Sequence, residues 1–346
     1  MNVRHQGRTL SLTVAALLML GVSPLLGLRS APNGDEYGTF LMLVGETGAS
    51  FEETVAGVER GLESSDWELL AAFDAGVDRD ACEYRARVFV VHAPGYAEQV
   101  LGYGSAAAFA LPLRLAVFED EDGVHIVAAN PQSLNRTIVA EEGFEAQSAA
   151  IVESLVAMLE LEFPGKVGVA QYGQMRDRGL ISKTMGIMAG GPFTGKVESV
   201  LSVKFEGDEG VAGVAARIYE GLEQVADEWG KWEIRPIYLL DLPESDLSII
   251  GVTGEAMEVK SFQIIGAGPN EAREDFACPG IDHAPAYPIE LVIVREDDKA
   301  KILIADTMFR MKMYFEEAGK MKFAMNMKMP GSIEDEIRDK VEEALY

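Results

Sequence analysis

Histidine and cysteine are scarce in this 346-residue chain, which has four of the first and two of the second. Two thiols exclude a miniature disulfide scaffold and a cluster held by four thiolates, and so few histidines leave little for a zinc shell. Positive charge is also short: 30 Lys+Arg stand against 56 Asp+Glu, a net charge of −26, and no local basic strip offsets it. Such a surface repels a polyphosphate backbone, so nucleic acid is not an expected partner. Past residue 28 no stretch holds the ~18 uncharged apolar residues that a membrane span needs. The remaining composition, 48% hydrophobic and 25% charged, suffices to bury a core. At ~100–200 residues per domain the chain has room for two domains.

The first thirty residues set the expected compartment. Arg4 and Arg8 precede an apolar run from Leu10 to Leu28, interrupted only by small residues and Pro24, and Asp35 and Glu36 follow it. Charge on that side of the run places the rest of the chain outside the cytoplasm. The triplets around Gly27 to Ala31 put Leu or Arg where a cleavage site wants a small residue. Residues 1–31 therefore read either as a signal peptide or as a retained anchor, and both export the remainder to the periplasm or the exterior.

The remainder is written twice. Ala110-Leu-Pro112-Leu-Arg114-Leu-Ala-Val-Phe-Glu119 through Asp122 to Asn130 matches Ala286-Tyr-Pro288-Ile-Glu290-Leu-Val-Ile-Val-Arg295 through Asp298 to Asp306, in prolines, apolar positions and acidic turn. Each copy reads as a hairpin, two β-rich runs around a polar turn. Upstream, Val58 to Leu62 corresponds to Ile218 to Leu222, each including a glycine (Gly61, Gly221) in a helix-period pattern. Each is followed by a Trp that opens a strand, Trp67 and Trp232.

In the first copy, strands are predicted at Thr39–Val44, Trp67–Phe73, Arg87–Val91, Leu111–Glu119 and Val124–Ala129. Ser50 with Glu53 forms a capping box for a helix that buries Phe51, Val55, Val58 and Leu62. A closing helix carries Phe144, Ile151, Leu155 and Leu159. In the second copy, strands are predicted at Ser199–Phe205, Trp232–Leu239, Lys260–Ile265, Ile289–Arg295 and Ile302–Ala305. Its last helix opens at Ser332, with Asp335 behind it, and buries Ile333, Ile337, Val341 and Leu345. The expected fold class is α+β: two repeats of a β-α-β4-α antiparallel-sheet domain, residues 38–165 and 196–346. A Gly/Met-rich linker, 166–195, joins them. Its apolar residues, Met185 and Met188 among them, need cover.

Phe51-Glu-Glu-Thr-Val55, the Leu111-Pro-Leu-Arg-Leu115 strand with its Glu119–Asp122 turn, and Asn130-Pro131 resemble the domain of unknown function 302 family. The second copy departs from that pattern, with Tyr287-Pro-Ile-Glu290 and Asp306-Thr307 at the matching places. The resemblance implies a fold similar to half of the TATA-box-binding protein, and a tandem copy able to form its own pseudo-dimer within one chain. It implies no catalytic residue.

The remaining motifs carry little chemistry. Gly190-Gly-Pro-Phe-Thr-Gly195-Lys196 approaches a phosphate-binding loop, but Val197 stands where a magnesium-holding hydroxyl is needed and a strand follows. Cys82 and His92 are ten residues apart along an extended segment, too far for a thiol–imidazole pair. In the second copy Met257 and Gly266 fall at roughly their places. Cys278 is the possible disulfide partner of Cys82, and that bridge would tie the two domains. The acidic tips Glu119–Asp122 and Glu296–Asp298 lack the ligand spacing of a calcium loop. His125 and His283 stand alone and read as structural.

The most unusual stretch runs from Met308 to Met329 and includes Met311, Met313, Met321, Met325 and Met327, interleaved with Arg310, Lys312, Lys320, Lys322 and Lys328. Methionine suits adaptable contact surfaces. With Met185 and Met188, the residues Met311, Met313, Met325, Met327 and Met329 are the candidate contacts for a small molecule or a protein partner in an interdomain groove. Met325, Met327 and Met329 alternate as one face of a strand would show them, an arrangement suited to Cu(I) in an exported metal or redox accessory protein. No nucleophile with a base, no metal shell and no cofactor cradle is apparent, so no cofactor and no catalysis are expected.

Overall fold

The computed structural model describes residues 36–139, 141–176, 192–265, 278, 280–316, 318 and 320–346. The N-terminal segment 1–31, and Met185 and Met188 of the linker, lie outside the described residues. None of the described helices is long and apolar enough to cross a membrane.

The first half opens with β1 (Tyr37–Val44), α1 (Phe51–Glu63), β2 (Glu68–Asp74), β3 (Ala86–His92) and α2 (Pro94–Leu101). The hairpin β4 (Leu113–Asp120) and β5 (Gly123–Ala129) follows, then α3 (Pro131–Ile138), α4 (Glu145–Glu162) and β6 (Val167–Arg176). The second half runs β7 (Val197–Lys204), α5 (Val211–Val225), β8 (Arg235–Leu242), β9 (Leu247–Thr253), α6 (Glu255–Ile265), β10 (Ile289–Glu296) and β11 (Lys299–Ala305). It closes with α7 (Thr307–Phe315), α8 (Lys320–Met325) and α9 (Met329–Leu345). The sheets are antiparallel, ordered β2-β3-β4-β5-β1-β6 and β8-β9-β10-β11-β7. Apart from the added edge strand β6, the two orders are the same.

Local chemistry repeats with the topology. The capping box at the start of α1 forms as predicted, with the Ser50 hydroxyl accepting from Glu53 N and the Glu53 carboxylate accepting from Ser50 N. Asn130 caps α3 through Gln132 N, and its counterpart Asp306 caps α7 through Phe309 N. One hairpin carries the pair Asp120–His125 and the other Glu296–Lys301, both at 2.7 Å. The repeated glycine has a packing reason: a Cβ on Gly61 would meet Met158 of α4, and one on Gly221 would meet the backbone of Ala344 in α9.

Four sequence expectations are corrected. Residues 167–176, assigned to the linker, form β6 along the edge of β1. Lys260–Ile265 is not a strand but the end of α6, while β9, buried at every position, went unread. A strand covered on both faces loses the polar/apolar alternation that marks one. His92, at the end of β3, therefore corresponds to Thr253 rather than to Gly266. The last helix begins at Met329, with Pro330 in its first turn, where the missing N–H costs nothing, rather than at Ser332.

One face of the first sheet packs on α1 and α4, and its other face meets the second half. Phe40 of β1 packs against Tyr172 of β6 and against His283 and Tyr314 from the second half. At the centre, Arg114 of β4 pairs with Glu290 of β10 at 2.5 Å and donates to the Tyr314 hydroxyl and to Pro288 O. Arg310 of α7 lies 3.7 Å from the same carboxylate and donates to Ala286 O and Pro288 O. All four charged or phenolic side chains are buried, so two guanidiniums share one carboxylate out of water. Glu290→Gln leaves both cations without a counter-charge and is expected to cost about 3–5 kcal/mol of unfolding free energy. Arg114→Met leaves Glu290 facing Arg310 and costs less. Urea unfolding at neutral pH measures both, and equal losses would mean that charge balance is not what holds this seam.

Candidate functional site

The loop between β2 and β3 crosses from the first half to α6 of the second, and a cavity of about 300 Å³ lies where they meet. Val77, Asp78, Ala81 and Cys82 supply one wall and Val259, Phe262 and Ile264 of α6 another. Cys278, Ile281, Gln263, Lys260, Lys322 and Asn326 complete the lining. The volume is at the small end of the ~300–1,000 Å³ usual for ligand sites.

Three ties hold the loop against α6. Gly76 N donates to Glu258 at 2.5 Å, Gln263 Nε2 donates to Asp78 at 2.7 Å, and Cys82 is joined to Cys278 with Cα atoms 5.0 Å apart. A Cβ on Gly76 would collide with the backbone of Glu255, so only glycine lets the chain approach so closely. The Asp78 carboxylate also accepts from Asp80 N within the loop. Neither Lys260 nor Lys322 makes a side-chain hydrogen bond or ion pair among the described residues.

Glu258 is buried and also accepts from the Thr253 hydroxyl. Burial pushes its carboxyl up to about 7, against the partial relief of the Gly76 and Thr253 hydrogen bonds. Nothing in the sequence marked this residue, since a single Glu in a helical pattern reads as a solvated face.

The residues singled out by sequence are spread more widely. Cys82 and Cys278 do meet, which removes Cys82 as a nucleophile. His92 is buried at the end of β3, and its Nδ1 has no hydrogen-bond partner among the described residues. Met311 and Met313 are buried in α7, and Met329 is buried at the start of α9. Met325 and Met327 are exposed, at 76% and 44%. These three later methionines belong to a helix, a turn and a second helix, so the alternating strand face on which the Cu(I) arrangement depended does not exist. The stretch reaches the cavity through Lys322 and Asn326 rather than through sulfur. Phe193–Lys196 forms a 3-10 turn leading into β7, with no helix to face a phosphate. His125 lies between Gly45 O and Asp120, and His283 is packed among Phe40, Tyr172 and Phe315 beside Asp282. Both occupy structural positions. No group of three or more His, Cys, Asp or Glu suited to a metal is present among the described residues.

The raised Glu258 carboxyl gives stability a defined pH dependence. The unfolded chain releases this proton near 4.5 and the folded chain near 7. Between those values the folded state binds the extra proton, so the contribution is complete below the lower value and is lost as pH rises to the upper. The total is about 3 kcal/mol, and the dependence is flat above the upper value. Glu258→Gln should remove this fall. Unfolding free energies of both proteins across that window measure it, and parallel curves would refute the assignment.

Residues 45–161 match the family model described as Domain of unknown function DUF302, a span from the end of β1 through α4; residues 197–346 lie outside the match. Among solved structures the chain is similar to an uncharacterized conserved protein DUF302 from Bacillus stearothermophilus. The two are 18% identical over 36% of this chain and 95% of that one, with a TM-score of 0.30. No curated protein matches the chain. The first half of the chain, at residues 45–161, is thus a domain of the DUF302 family.

Proposed function

We propose that this is an exported tandem module that binds a small molecule, without catalysis, in the cavity between its halves. The observation that carries the reading is the cavity itself, about 300 Å³ and walled by both halves, with its loop held in place by three separate ties. Preorganisation of this kind lowers the ordering cost of binding. The second half is proposed as a second copy of the first unit, supported by the common strand order and by the paired caps and hairpin ion pairs. Export is supported by Arg4 and Arg8 before the Leu10–Leu28 run. The Cys82–Cys278 bridge agrees with it, since such bonds persist in oxidising compartments. The Cu(I) alternative has lost its geometric basis.

A neutral apolar probe tests the site without presuming a charge. Calorimetric titration of the full chain with 1-octanol should give saturable one-site binding, abolished by Ala81→Trp, which fills the cavity from an exposed loop position. Binding that never saturates, or that survives the filling substitution unchanged, would overturn the cavity as the site.

A further inference from the structure

Within that reading of the cavity, we infer that its ligand is an amphipathic anion, an apolar body ending in a carboxylate or similar group held by Lys260 and Lys322. The chain carries 56 acidic against 30 basic side chains, so most cations have carboxylates within reach. Arg85, Arg87, Arg217, Arg295 and Lys301 all sit in ion pairs. The two lysines at the cavity, one half-buried on α6 and one exposed on α8, have no such partner among the described residues. The one carboxylate in the lining, Asp78, already accepts from Gln263 and from its own loop. Among the described lining residues two ammoniums therefore stand against one carboxylate, on a molecule of charge −26.

The lining also holds the apolar residues Val77, Val259, Phe262, Ile264 and Ile281 beside the disulfide. Such walls reward burial of a hydrocarbon body at roughly 25 cal/mol per Å². The free ammoniums reward an anionic head, since a charge-assisted hydrogen bond is stronger than a neutral one. A cation is disfavoured at the same place, and a dianion with no apolar body would leave the walls unused.

Octanoate, 1-octanol and octylamine share one hydrocarbon body and differ in head charge, and calorimetry on the full chain near neutral pH separates them. Octanoate should bind at least tenfold tighter than 1-octanol, and octylamine more weakly than either. Lys260→Gln should reduce octanoate affinity roughly tenfold. Lys322→Gln should reduce it by about threefold, an effect that fades with added salt because the residue is exposed. Both substitutions should weaken 1-octanol binding by much less than they weaken octanoate binding, and the 1-octanol binding that remains reports that the cavity is intact. If octanoate and 1-octanol bind equally, or if the lysine variants lose neither, the anionic class is wrong while the cavity stands as a ligand site. If none of the three saturates, both the anionic class and the cavity reading fall.

Discussion

The pairing of Arg114 with Glu290 is the constraint around which the two halves are arranged. The two residues hold equivalent places, each two residues past the proline that enters the central hairpin. An arginine or a glutamate facing its own kind at this place would be a buried like-charge pair, whereas these two are opposite in charge. A buried ion pair adds little net stability, because desolvation offsets the Coulombic gain. Its effect lies in choosing the partner, since each half is complementary to the other and not to itself.

Burial of both sheet faces explains what was legible in the sequence. Hairpins β4–β5 and β10–β11 could be read because their turns are acidic and their apolar runs end abruptly. The helix α1 could be read from its capping box and its period. The strand β9 could not, because Leu247 to Thr253 contains a serine, a glycine and a threonine and yet is buried at every position. Gly251 leaves space for the ring of Tyr238 from the neighbouring strand, a reason invisible in a linear pattern. Helix α6 was mistaken for a strand because a six-residue apolar run fits either period.

The candidate site was less legible than the fold, for a related reason. Two cysteines in a chain expected to be exported invite a pairing, and that arithmetic located one wall. The methionine stretch drew attention by composition, yet only Met311, Met313 and Met329 of it are buried, and its contribution to the cavity is a lysine and an asparagine. Gly76 and Glu258 carry no motif at all. Their roles arise only when a loop of one half is laid against a helix of the other, a relation that no window of sequence contains.

The anion preference proposed for the cavity rests on the same relation. An anion approaching a surface of charge −26 is repelled at long range, but salt at physiological strength confines that field to about 8 Å. Inside that distance the nearest charges decide, and among the described lining residues these are Lys260, Lys322 and Asp78. The acidic exterior and the basic mouth are therefore compatible. Highly charged polyanions, too large to enter, meet the exterior alone, whereas a small anion with an apolar tail can gain from the lysines and the walls together. Because one wall belongs to each half, separating the halves would dismantle the site rather than open it, and the Cys82–Cys278 bridge resists that separation from within the wall itself.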